Sequence, residues 1–121
     1  MDLSKGDFAD RVYKIEMSPN AQQMLNAYAT YIEVELDNPK AADNLLIDAD
    51  NTLNELSKVA DTLNFLSKPA LRKRGYRKIL FLKYHYIMIY KIVSDTIRIE
   101  AVYHQKQDYE NLFAEEIQKS E

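Results

Sequence analysis

Two helix-start signals stand twenty residues apart, and they constrain the fold more than any other feature of the sequence. Ser18-Pro19 and Asn38-Pro39 each put a capping side chain directly before a proline. The proline's missing N–H is harmless at the first helical position. Between the two signals, Met24, Leu25, Tyr28 and Ile32 recur at helical spacing. That spacing predicts an amphipathic helix over residues 19–36. Two consecutive helices with almost no connection must fold back as an antiparallel hairpin. Ala42, Leu46, Ala49, Leu53, Leu56, Ala60 and Leu63 then alternate steps of four and three. Over so few heptads this seam is the contact line of the hairpin rather than a separate coiled coil.

The flanks read as strands. Residues 12–17 alternate and predict a short strand before the hairpin. Lys68-Pro69 is expected to close the helical part, and Gly75 supplies a turn. Residues 76–83 alternate, with Arg77, Ile79, Phe81 and Lys83 on one face. Residues 86–92 are almost wholly apolar, which suits the most buried strand, and only Tyr84-His85 connects them to the run before. Residues 96–104 alternate again. Ile97, Ile99, Ala101 and Tyr103 are expected on one face, and Arg98, Glu100, Val102 and His104 on the other. Short connections imply an antiparallel meander. In the tail, Tyr109, Leu112, Phe113 and Ile117 fall on one helical face.

The expected order is therefore β-α-α-β-β-β-α. The class is α+β: an N-terminal strand, an antiparallel helical hairpin packed on a mainly antiparallel four-stranded sheet, and a C-terminal helix. At 121 residues a single domain, 1–121, is expected, with residues 1–11 as a loose N-terminal extension.

Composition removes several chemistries. The chain has no Cys, which excludes disulfides and thiolate sites, and only His85 and His104, which excludes a His-rich metal centre. No phosphate-binding glycine loop, HExxH or GxSxG occurs, so no cofactor and no metal are expected. No apolar run approaches the roughly 18 residues of a membrane helix. The N-terminus has mixed charge and no apolar segment, so it does not read as a signal peptide. A cytoplasmic protein with no membrane contact is the expectation.

The net charge of -3 conceals a strong asymmetry. Residues 1–61 carry -7, residues 62–94 carry +8 without one carboxylate, and residues 95–121 carry -4. The middle stretch makes a local positive field. It reads either as a soluble sheet edge kept apart by Lys and Arg, or as a docking surface for phosphate or an acidic partner.

Candidate catalytic groups are few. Glu33 and Glu35, like Asp48 and Asp50, lie two apart on a helix and point in different directions, so they read as a solvated face. His85 reads as an exposed turn residue. His104 ends the last strand, and an imidazole titrating near neutrality can move protons. Arg77 and Lys83 supply cations, and Tyr90, Tyr103 or Tyr109 supply rings that stack on bases. Those parts suffice for metal-free RNA cleavage. The plainer reading is that His104 ends a strand and that Arg98 and Glu100 decorate the surface.

Three segments carry a resemblance: GYR at 75–77 opening a strand, YIMIYKI at 86–92, and AVYHQKQDYENLF at 101–113. Together with the element order, these resemble toxins of the RelE/ParE superfamily, from bacterial type II toxin–antitoxin modules of the plasmid-stabilisation type. The resemblance covers roughly residues 12–114. It implies a growth-inhibiting toxin that a cognate antitoxin holds inactive in an oligomeric complex. RelE-like members are mRNA interferases that enter the ribosome and cut mRNA without a metal. ParE-like members inhibit DNA gyrase.

By that resemblance His104, Arg77 and Tyr109 are the candidate catalytic residues. Arg72, Lys73, Arg74, Lys78, Lys83 and Lys106 are the candidate substrate or partner contacts. Many members carry Arg just after the strand-end His, whereas this chain has Gln105, Lys106 and Gln107. Lys106 keeps a charge but not the planar fork that grips phosphate. The mRNA-cutting members also tend to be basic, and the long hairpin leans towards the ParE-like side. A non-toxic, catalytically decayed relative that only binds its antitoxin is the alternative. In each case the antitoxin segment is expected to be acidic or amphipathic and to fold on binding.

Overall fold

The computed structural model describes residues 13–120. Strand β1 (Lys14–Met17) leads into helix α1 (Pro19–Thr30), which runs on as a π-helical segment (Tyr31–Glu35). Helix α2 (Pro39–Val59) ends in a 3-10 turn (Ala60–Thr62). Then follow α3 (Pro69–Lys73), β2 (Arg77–Leu80), β3 (Tyr86–Val93), β4 (Thr96–His104) and α4 (Tyr109–Ser120). The proposed extension 1–11, and Val12 of the first predicted strand, lie outside the described residues.

The two predicted helix starts form as local chemistry dictates. The Ser18 side chain accepts the Ala21 N–H at 3.0 Å, and the Asn38 side chain accepts the Ala41 N–H at 3.1 Å. Between them Asp37 adopts a left-handed φ of 50°, which ends the first helix and turns the chain into the second.

The sheet has the strand order β1-β4-β3-β2. The pairs β2–β3 and β3–β4 are antiparallel, and β1 lies parallel to β4, from Lys14 opposite Thr96 to Met17 opposite Ile99. The hairpin covers one face. There Leu25, Leu45 and Leu56 meet Met88, Tyr90, Ile97, Ile99 and Val102. Helices α3 and α4 serve the other face, where Leu71 and Phe113 join Leu66, Tyr76, Ile87, Ile89, Ala101 and Tyr103. Burial of each large apolar side chain here contributes about 1.5–3 kcal/mol. No described helix is long and apolar enough to cross a membrane.

Three local expectations are corrected. First, β4 does not alternate strictly. Ile99 stands opposite Tyr90 and Ala101 opposite Ile89, so Glu100 is an extra, bulged residue. Ser18 Oγ and Asn20 Nδ2 hold its carbonyl at 3.3 and 3.1 Å. Past the bulge the pattern flips. Val102 joins Ile97 and Ile99 under the hairpin, and Ala101 and Tyr103 face α4. Arg98 and His104 therefore lie on opposite faces. Second, Lys68-Pro69 does not close the helical part, because Pro69 opens α3. Third, β2 stops at Leu80, so the β2–β3 connection is five residues long rather than two.

Candidate functional site

His104 ends β4 directly opposite Tyr86. Its ring meets Tyr86 edge-on, with centroids 4.9 Å apart at 74°. Tyr86 in turn touches Tyr28 of α1 at 5.0 Å and Phe81 at 5.7 Å. The His104 N–H donates to Gln107 Oε1 at 2.9 Å, and the Tyr28 hydroxyl reaches the same oxygen at 3.0 Å. The Lys106 N–H donates to His104 Nδ1 at 3.1 Å. With Nδ1 accepting, the neutral ring carries its proton on Nε2. Burial raises the Tyr28 hydroxyl above its usual pKa, with Tyr86 adding to the effect, and burial likewise raises Tyr86. Both phenols stay protonated beside His104 at neutral pH, so they serve as hydrogen-bond donors and not as bases.

Arg77 is elsewhere. It opens β2 opposite Tyr90, four residues along β3 from Tyr86. That offset is about 13 Å along the strand direction. Its guanidinium donates to Leu63 O at 2.6 Å and Asp61 O at 3.5 Å, and lies 3.9 Å over the Phe65 ring. Tyr109 is in a third place. Its hydroxyl accepts from Lys78 Nζ at 2.7 Å on the α4 face of the sheet. The fold thus brings Lys106 beside His104, and Lys78 beside Tyr109. It does not bring His104, Arg77 and Tyr109 together.

The remaining cations are dispersed. Arg72 and Lys73 are exposed on the last turn of α3, and Arg74 caps that helix. Lys83 is exposed in the β2–β3 connection, its N–H taken by the Asp48 carboxylate at 3.1 Å. The residues that frame His104, Tyr28 and Gln107, were not singled out by sequence reasoning. Tyr28 had one signal: it is the only hydroxyl-bearing member of the apolar stripe Met24, Leu25, Tyr28, Ile32. Gln107 had none, since its bond depends on the turn after β4.

Residues 15–109 match the family of the ParE toxin of the type II toxin–antitoxin system parDE. The chain belongs to the ParE toxin family. Among solved structures, one of the chromosomal ParDE toxin–antitoxin system from P. aeruginosa is similar with a TM-score of 0.64. The two share 17% identity, over 78% of this chain and 97% of that one. At that identity the likeness is one of fold. No curated relative matches the ParE-family chain by sequence. The family match ends at the first residue of α4, so nearly all of the helix that covers the second sheet face lies beyond it.

Proposed function

We propose that this ParE-family chain is the toxin of a type II toxin–antitoxin pair and arrests growth by binding its target rather than by cutting RNA. DNA gyrase is the proposed target, a cognate antitoxin the proposed neutraliser, and the bacterial cytoplasm the setting. The separation of Arg77 from His104 carries this reading. Metal-free cleavage needs a base, an acid and cations gathered around one phosphate. Arg77 is engaged with backbone carbonyls four residues along β3 from the partner of His104, and Tyr109 with Lys78 on the other face. Lys106 meets His104 through its backbone N–H, and a lysine lacks the planar fork that grips phosphate. A toxin that acts by binding needs no such constellation. For the antitoxin, the exposed Arg72 and Lys73 favour an acidic segment that folds on docking.

The test is to express the chain alone and map the 5′ ends of cellular RNA, beside a His104→Ala control. Growth arrest with DNA-damage signalling, no new ends within translated codons, and the same arrest in the control is the expected outcome. New ends that vanish in the control would replace this reading with an mRNA endonuclease. No arrest at matched expression would leave the non-toxic, antitoxin-binding relative.

A further inference from the structure

The tip of the α1–α2 hairpin combines exposed apolar side chains with an irregular backbone. Tyr31, Val34 and Leu36 are 56%, 63% and 56% exposed. Leu36 stands four residues after Ile32, which packs on the core. In a regular α-helix Leu36 would return to the buried stripe. The π-helical segment prevents this. The Leu36 N–H donates to Tyr31 O at 3.2 Å and the Asn38 N–H to Ile32 O at 3.1 Å, wider turns than an α-helix makes. Leu36, which a regular helix would return to the core, is instead turned outward beside the exposed Tyr31 and Val34.

The tip also projects. Asp48, nine residues into α2, already sits at the Lys83–Tyr84 turn at one end of the sheet. The first turns of α2 and the whole tip extend about 13 Å past it. The cationic α3 lies at the opposite end, just before Arg77.

Charge decides what can cover the patch. Glu33, Glu35 and Asp37 are exposed between the apolar residues. None has an ion-pair partner among the described residues. Three unpaired carboxylates repel nucleic acid and an acidic antitoxin segment alike. They suit a basic protein surface with an apolar pocket, in which an aromatic such as Tyr31 is the anchor. We infer that the hairpin tip is the surface by which this toxin engages its target, and that the target presents a basic surface with an apolar pocket. This rests on the binding-toxin reading above, and it separates the target surface from the cationic end where the antitoxin would dock.

The test compares growth arrest by the full chain with that by two tip variants. One is Tyr31→Ser/Val34→Ser/Leu36→Ser, which removes the anchors. The other is Glu33→Lys/Glu35→Lys, which reverses charge at exposed positions and keeps the core intact. Asp50→Lys/Glu55→Lys, exposed further along α2, controls for charge alone. Circular dichroism and Tm verify folding, and interferometry measures binding to purified gyrase. Both tip variants are expected to stay folded, lose arrest and bind gyrase at least about tenfold more weakly, with the control unchanged. Tip variants that arrest growth like the wild type overturn the inference and leave the toxin reading standing. A wild type that arrests growth without binding gyrase overturns the gyrase assignment, and arrest alone then decides the role of the tip. A wild type that causes no arrest overturns the toxin reading and this inference together.

Discussion

The Asp48 carboxylate accepts the backbone N–H of Tyr84 at 2.9 Å from a side chain that is only 2% exposed. Asp48 is therefore not part of the solvated face that its spacing from Asp50 suggested, and it also takes the Lys83 N–H at 3.1 Å. One turn further along α2, Thr52 Oγ1 accepts the Leu82 N–H at 3.1 Å. Helix α2 thereby supplies side-chain partners to three successive N–H groups of the β2–β3 connection, which β2 itself no longer pairs. Asp48→Ala is expected to destabilise the fold by about 2–4 kcal/mol, because two of those N–H groups lose their only acceptor next to the core. Asp48→Asn, which keeps one acceptor oxygen, should recover part of the loss. Urea unfolding at neutral pH measures both, and a loss under about 0.5 kcal/mol for Ala would mean the loop finds water instead.

Arg77 has a structural role in this fold. Its guanidinium ties Asp61 O and Leu63 O and covers Phe65, so it fixes the segment that leads from α2 to the second sheet face. Arg77→Ala should cost about 1.5–3 kcal/mol, the range for hydrogen bonds made by a charged group. Arg77→Lys should restore less than half, since an ammonium cannot span two carbonyls and a ring at once. At matched soluble levels both variants should still arrest growth. Loss of arrest with unchanged unfolding curves would return Arg77 to the functional site.

The hairpin was legible in the sequence because its signals are local. Ser18 and Asn38 cap N–H groups three residues away, and nothing distant is needed to read them. The β4 pattern was legible only as far as Ile99. The bulge at Glu100 depends on Ser18 and Asn20, about eighty residues earlier, and it turned Val102 inward and put His104 on the face opposite Arg98. Pro69 was ambiguous for a physical reason: proline stops one helix and starts another equally well, and the choice depends on what α3 packs against. The candidate site was the least legible part. Each residue was sound as chemistry. Whether Arg77 reaches His104 is decided by the registers of two strand pairs, Arg77 with Tyr90 and Tyr86 with His104, and register follows from packing.

Two buried tyrosines set the alkaline limit of the fold. Burial, helped by Glu116 and Tyr28, pushes the Tyr103 phenol up to about 12. Burial raises Tyr90 further still, against a smaller opposing pull from Arg77. In the unfolded chain a tyrosine ionises near 10. Above that pH the unfolded state gives up protons that the native state keeps. The stability these groups contribute is thus complete below about pH 10 and declines as the pH rises towards 12. Urea midpoints should fall across that window, and the last part of the tyrosinate absorbance should appear together with loss of the circular-dichroism signal. Tyr103→Phe should flatten the decline. Tyr90→Phe should flatten it too, and should also lower stability at neutral pH by about 1 kcal/mol, because the 2.6 Å bond to Ala60 O is lost. Tyrosine ionisation completed before any unfolding would contradict the assignment.

Two of the contacts that hold helix α4 differ in kind and can be separated. Glu110 clips its first turn to the chain ahead of α3, accepting the Lys68 N–H at 2.6 Å and the Ser67 N–H at 3.0 Å. Phe113, 4% exposed, plugs the second core and meets Tyr76 edge-on at 4.9 Å. Glu110→Gln keeps one acceptor and the plug, so it should cost only about 1 kcal/mol. Its effect on hydrogen exchange should stay local, with faster exchange at residues 67–68 and in the first turn of α4. Phe113→Ala removes the plug and should cost about 3–5 kcal/mol. Exchange should then rise along the whole of α4, and a hydrophobic dye should bind over Tyr76, Ile87 and Tyr103, while the hairpin-side amides stay protected. An equal rise across both sheet faces in either variant would mean that the two cores open as one unit.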